Sequence, residues 1–164
     1  MKDSFTVETI TPENYKQALY DPDTIADFLH EHLDHFRDPK DQIMNCLEYA
    51  LGIIANRRGF ILVAREKDGH QGAGGNTRNN KENILGVTVL CETGMSGYIP
   101  ENILVYIAVD AAARGRGIGK VLMEQAIQKA DGDVALHVEP DNPARRLYER
   151  IGFTNKYLEM RLKK

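Results

Sequence analysis

Between Asp110 and Lys120 the chain reads Asp-Ala-Ala-Ala-Arg-Gly-Arg-Gly-Ile-Gly-Lys, with glycine at 115, 117 and 119 and cations at Arg114, Arg116 and Lys120. The chemistry suited to that composition is anion binding. Glycines let the backbone turn successive amides inward and let a ligand approach the main chain. A helix starting there adds unpaired amides and the positive end of a dipole. Three cations crowding that end are unfavourable unless a counter-anion is present, and a phosphate or pyrophosphate would supply one. A tight turn with solvated arginines is the competing reading.

The spacing narrows the ligand. A P-loop needs glycine five residues before its Gly-Lys pair and a hydroxyl after it, but Arg114 and Val121 stand there. A dinucleotide fingerprint needs its last glycine at Lys120, and only 45 residues follow Gly119, too few for the rest of a doubly wound domain. Farther on, Asn142-Pro143 has the form of a helix start, an N-cap residue held extended by the proline. Gly152 is well placed to end that helix. Tyr148 shares a helical stripe with Ala144, Leu147 and Ile151, which alone reads as a half-buried core aromatic. Cys46 and Cys91 fit no zinc spacing and no disulfide framework. His30, His32 and His35 do not converge on one helix face, so no metal is expected.

These residues need elements to hold them. Residues 5–10 alternate as a short strand. Apolar positions recur at three and four from Asp23 to Arg37 and again from Lys40 to Ala55, predicting two amphipathic helices separated by Asp38-Pro39. Strands are predicted over Phe60–Ala64, Ile84–Cys91, Ile103–Val109 and Val134–Val138, helices over Ile118–Ala130 and Pro143–Ile151, and a last run over Tyr157–Leu162. Strand, helix, strand at 103–138 is a right-handed crossover between parallel strands, whereas the earlier strands are hairpin-connected, so an α/β fold with a mixed sheet is expected. Length suits a single domain over 1–164.

The run Ile107–Lys120 resembles the acetyl-coenzyme A signature of the GCN5-related N-acetyltransferases (GNAT), whose core, Arg or Gln, two residues, Gly, any, Gly or Ala, is here Arg114, Gly117 and Gly119. Glu139–Phe153 resembles the family's second signature, an Asn followed by a helix ending in Leu-Tyr and then Gly-Phe. The resemblance implies a GNAT fold and acetyl-CoA as co-substrate. Ile107, Ala108 and Val109 would pair with its pantetheine arm through the main chain, as strand edges bind extended ligands. Arg114, Gly115, Arg116, Gly117, Ile118, Gly119 and Lys120 would cradle its pyrophosphate, with Asn142 near the cofactor. It also implies that Tyr148 is the general acid, directed at the departing sulfur. A phenol of ordinary pKa near 10 can protonate a thiolate of comparable basicity.

The implied reaction is N-acetylation of a primary amine of a small molecule, an amino acid or a protein by direct attack. The alternatives are a catalytically inactive acetyl-CoA-sensing module and a nucleotide-binding domain. Where some members carry a glutamate, Ile103 and Leu104 are apolar, so Glu101 is the nearest match for the base, with Glu92, His137, Glu139 and direct proton loss to water as rivals.

Residues 1–50 hold eleven Asp or Glu against four Lys or Arg, an asymmetry that could draw a cationic acceptor to the N-terminal helices. With a net charge of −3, no broad nucleic-acid face is expected. The N-terminal residues lack a secretory apolar run and no stretch is long enough to span a membrane, so a cytoplasmic protein without membrane association is expected, and a homodimer is left open. Gly69, Gly72, Gly74 and Gly75 fall in a segment without apolar periodicity, read as a mobile hairpin loop over about 68–82.

Overall fold

The computed structural model describes residues 4–67 and 79–164. Most of the expected hairpin loop, including its four glycines, lies outside the described residues; Asn80 at its far end accepts from the Glu82 amide and starts a short 3-10 turn at Lys81–Asn83.

Five strands form one sheet in the order β1 (Phe5–Ile10), β2 (Gly59–Glu66), β3 (Ile84–Glu92), β4 (Asn102–Val109), β5 (Val134–Leu136), antiparallel up to β4 and parallel between β4 and β5. The expected mixed α/β sheet is what the structure has. β3 is buried at eight successive positions, because helices cover both faces of the sheet there. On one face lie α1 (Pro22–His32) and α2 (Lys40–Ala50), packing Ile25, Phe28, Leu29, Ile43 and Leu47 against Val63, Val87 and Val89. On the other, α3 (Ile118–Lys129) sets Ile118, Leu122, Met123 and Ala126 against Leu62, Ala64 and Leu85. On the same face as α3, α4 (Arg145–Ile151) contributes Tyr148 to that second core.

Two close contacts position the glycine loop. A Cβ at Gly86 of β3 would stand 3.0 Å from Ile118 Cγ2 and Leu122 Cδ1, so glycine lets the first turn of α3 sit directly on the sheet. In β4, Leu104 pairs with Leu90 and Tyr106 with Val89, leaving Val105 as an extra residue. Such a bulge flips the side-chain phase. Consequently Ile103, Tyr106 and Ala108 face the α1/α2 layer, while Leu104, Ile107 and Val109 face α3 and α4.

Several boundaries differ from the sequence reading. α1 ends at His32 and gives way to a 3-10 turn at Asp34–Phe36, with Asp34 at φ +53°, so the helix does not run to Arg37. α2 stops at Ala50 because Gly52 adopts φ +69°, and Ile53 and Ile54, which prolong the apolar pattern, are exposed. β5 is three residues long, and α4 begins two residues after Pro143. The run Tyr157–Leu162 belongs to no strand or helix.

Candidate functional site

Asp110 ends the β4 segment and accepts a 2.8 Å hydrogen bond from the Ala112 amide, turning the chain into the loop. Gly115 and Gly117 then take φ +83° and +79°, conformations that a side chain would strain. Gly117 is the N-cap of α3, and no side chain caps it among the described residues, so the first-turn amides stay open to a ligand. They line a cleft of about 880 Å³, walled by Val109, Gly119, Lys120 and Ile127 and by Leu147 and Ile151 of α4.

The three cations divide. Arg114 and Lys120 line this cleft, exposed, each near one carboxylate: Asp34 at 3.4 Å and Glu124 at 3.8 Å. Arg116 turns away from it, donating to Glu66 Oε1 at 2.8 Å and to Ser4 Oγ at 2.6 Å, and so ties the loop to the β1/β2 end of the sheet. The glutamate, by hydrogen bond and charge, holds that guanidinium above its ordinary value. The crowding expected from the sequence is thus answered by carboxylates of the chain, and the Arg116 side chain points away from the place where an anion would sit.

A second cleft, of about 220 Å³, is lined by other residues of the same strand and helix. Neighbouring α4 residues link the two: Leu147 lines the larger cleft and Tyr148 the smaller. Ile107, His137, Glu139 and Asn142 also line the smaller. β4 pairs with β5 only from Asn102 to Leu104. Past Leu104, the β4 edge toward α4 carries no strand among the described residues, and its main-chain groups are available there.

Tyr148 is buried against Phe153, edge to face with centroids 6.2 Å apart, and burial pushes its hydroxyl up to about 12. It is therefore a neutral donor at any ordinary pH. Asn142 accepts from the Ala144 amide at 2.9 Å, capping the first turn of the α4 region from two residues before its N-cap, and keeps its side-chain NH₂ unbonded among the described residues.

Glu101 is not brought to either cleft. Its Oε2 accepts from the Asp133 amide at 2.8 Å and its Oε1 from the Gly97 amide at 3.4 Å, and its carboxylate packs over Gly132. Those amides hold its carboxyl below the usual range. It staples the turn before β5 to the β3–β4 loop. Glu92, 3.6 Å from Arg58 Nε, lines neither cleft. His32 stacks on Phe28 and His35 on Phe36, and among the described residues no cluster of His, Cys, Asp or Glu could hold a metal.

Sequence reasoning missed part of the smaller cleft. Asp38, Tyr106, Leu33, Phe36 and Arg161 line it, and the Tyr106 hydroxyl donates to Asp38 Oδ2 at 2.5 Å. The available signal was a tyrosine inside an otherwise aliphatic strand. Behind Asp38, Cys46 and Cys91 sulfurs lie 3.8 Å apart as free thiols.

Residues 57–155 match the acetyltransferase (GNAT) domain family. Over 67 residues the chain is 42% identical to the mycothiol acetyltransferase of Rhodococcus erythropolis, covering 37% of this chain and 22% of that protein; the matched stretch is about a fifth of that relative's length. Among solved structures, the NatC complex bound to a Gag peptide and CoA superposes with a TM-score of 0.65 at 19% identity, over 94% of this chain and 87% of that one. An aminoglycoside N-acetyltransferase in complex with CoA gives 0.62 at 14% identity, over 98% and 94%. At these identities the likenesses show a shared fold.

Proposed function

The chain belongs to the GNAT acetyltransferase family, and from that premise we propose that it is an N-acetyltransferase, a single domain over 1–164, moving an acetyl group from acetyl-CoA to a primary amine by direct attack. The observation carrying this reading is the succession, along β4 and α4, of the open amides of α3, the β4 edge that no strand covers among the described residues, and the Tyr148 hydroxyl. Acetyl-CoA supplies an acetyl group activated as a thioester. The residues fit such a ligand: glycines 115 and 117 have nothing within 4 Å of an added Cβ, which leaves room for a phosphate to reach the backbone.

In this reading the amides from Arg114 to Lys120, with the Arg114 and Lys120 side chains, hold the pyrophosphate, and Arg116 contributes its main chain only. The edge at Ile107, Ala108 and Val109 pairs with the pantetheine arm, and the free Asn142 NH₂ donates near it. The amine nitrogen forms the new C–N bond as the C–S bond breaks. Tyr148 gives its proton to the leaving sulfur and regains one from solvent, and the attacking nitrogen passes its own proton to solvent water. Burial suits Tyr148 to this, since it stays protonated until it is needed. No helix among the described residues is long and apolar enough to cross a membrane, and we place the reaction in the cytoplasm.

Thermal-shift measurements test the ligand: acetyl-CoA should stabilise the chain and NAD or ATP should not. Thiol release in the presence of a panel of primary amines then tests the transfer. Stabilisation without release from any amine would turn the reading into that of a coenzyme A sensor.

A further inference from the structure

The smaller cleft contains a carboxylate whose position is fixed from two directions. Asp38 lies on the join between α1 and α2, ahead of Pro39, and its Oδ2 takes the hydroxyl of Tyr106, a side chain anchored in β4 and 8% exposed. The Val105 bulge makes this contact possible, since it turns Tyr106 to the α1/α2 face of the sheet. Oδ1 has no hydrogen-bond partner among the described residues, and Asp38 itself is exposed to the cleft.

The cleft already receives a cation. Arg161, from the C-terminal segment, lines it; its guanidinium is held above its ordinary value first by Glu159, its hydrogen-bond partner, and additionally by the charge of Asp38. The other charged or titratable groups on this cleft are Tyr148 of α4 and, on the join between β5 and α4, His137 and Glu139; none of the three side chains has a fixed polar partner among the described residues. Leu33 and Phe36 give the wall beside Asp38 an apolar surface.

We propose that Asp38 is the residue that anchors the acceptor's ammonium group, with Tyr106 as its positioning residue, and that the acceptor is a primary amine carried on an apolar stem. This rests on the acetyl-transfer reading of the same site and adds the acceptor side to it. An ammonium on Oδ1 would lie in the cleft that the Tyr148 hydroxyl shares, and the apolar stem would lie along Leu33 and Phe36. Deprotonation follows from the same contact, because a carboxylate hydrogen-bonded to the ammonium can relay its proton to water.

The test measures binding by calorimetry on the full chain saturated with coenzyme A, which permits no turnover. The probes are 2-phenylethylamine and its uncharged analogue 2-phenylethanol, applied to the wild type, Asp38→Asn, Tyr106→Phe and Glu139→Gln. The wild type should bind the amine about fivefold or more tightly than the alcohol, the preference weakening with added salt. Asp38→Asn should remove that preference while leaving alcohol and coenzyme A binding unchanged, Tyr106→Phe should remove part of it, and Glu139→Gln should keep it. Retention of the preference in Asp38→Asn, its loss in Glu139→Gln instead, or a wild type that binds neither probe would overturn the proposal. Coenzyme A affinity is measured first on each sample: if it binds and the amine preference does not depend on Asp38, only the anchoring role falls. If coenzyme A does not bind, the acetyl-transfer reading falls and this proposal with it.

Discussion

Gly117 and Gly119 are two residues apart, one the N-cap of α3 and the other in its first turn, yet alanine should act on them with opposite signs. At Gly119, inside α3, an added Cβ would lie 3.5 Å from Leu147 Cδ2 and 3.6 Å from Val109 Cγ2, ordinary contact distances. Replacing a helical glycine removes excess unfolded-state freedom, so Gly119→Ala should stabilise the ligand-free chain by about 0.5 kcal/mol, raising Tm by roughly 1–2 °C at this size. At Gly117 the added Cβ meets nothing, but φ is +79°. The left-handed conformation costs about 1 kcal/mol or more for an L side chain, so Gly117→Ala should lower Tm by roughly 2–4 °C.

Ligand binding separates the two again. The signature itself admits alanine at Gly119, where an added Cβ makes only ordinary contacts with Val109 and Leu147, whereas at Gly117 it would enter the open space proposed for the phosphate. Gly119→Ala should therefore keep acetyl-CoA affinity within about threefold while improving stability, and Gly117→Ala should weaken it about tenfold or more. Scanning fluorimetry of the free chain and calorimetric titration with acetyl-CoA give the two readouts on one sample. A Gly117→Ala chain that binds acetyl-CoA like the wild type would refute the placement of the pyrophosphate at this loop. A Gly117→Ala chain as stable as the wild type would refute the strained turn.

Three further outcomes follow from single side chains. Tyr148→Phe removes a hydroxyl with no bonded partner among the described residues, so neutral-pH stability should change by less than about 1 kcal/mol while kcat falls roughly 10²–10⁴-fold. Because the unfolded phenol ionises near 10 and the folded one near 12, stability is fully present below pH 10 and falls by about 1.4 kcal/mol per pH unit from there to pH 12; urea titrations should show a shallower alkaline loss in Tyr148→Phe. Glu101→Gln should lower thermal stability, most at pH values above the ordinary carboxylate range, yet leave turnover within about twofold, whereas a hundredfold loss of kcat would restore it as the base. Cys46 is held above the ordinary thiol range first by its hydrogen bond with Cys91 and then by burial, so iodoacetamide at neutral pH should label the native chain slowly and both cysteines quickly in denaturant; rapid native labelling followed by mass spectrometry would contradict that packing.

What could be read from the sequence depended on how far apart the cooperating residues lie. The glycine loop before α3 was legible because its determinants are local: a strand, glycines that relieve positive φ at 115 and 117, and a helix start within eleven residues. Asn142 and Gly152 were legible for the same reason, since a cap touches groups two to four residues away. The ends of α1 and α2 were not, because Phe36, Ile53 and Ile54 continue the apolar spacing after the backbone has left the helix, and burial, which spacing does not report, is what distinguishes them from core positions.

The acceptor side was the least legible. Asp38 and Tyr106 are 68 residues apart, and their contact depends on one extra residue in β4. Reading β4 as a regular alternation puts Tyr106 on the face with Leu104, toward α3, and Asp38 then has no visible partner; the bulge reverses that face and creates the pair. Glu101 was the nearest match for the base only by its place before the strand where some family members carry a glutamate. Two amides from other loops claim its oxygens. Groups that act through the main chain can thus be located from local spacing, whereas the carboxylate that meets the substrate is selected by register across strands, which is why the acceptor cleft required coordinates.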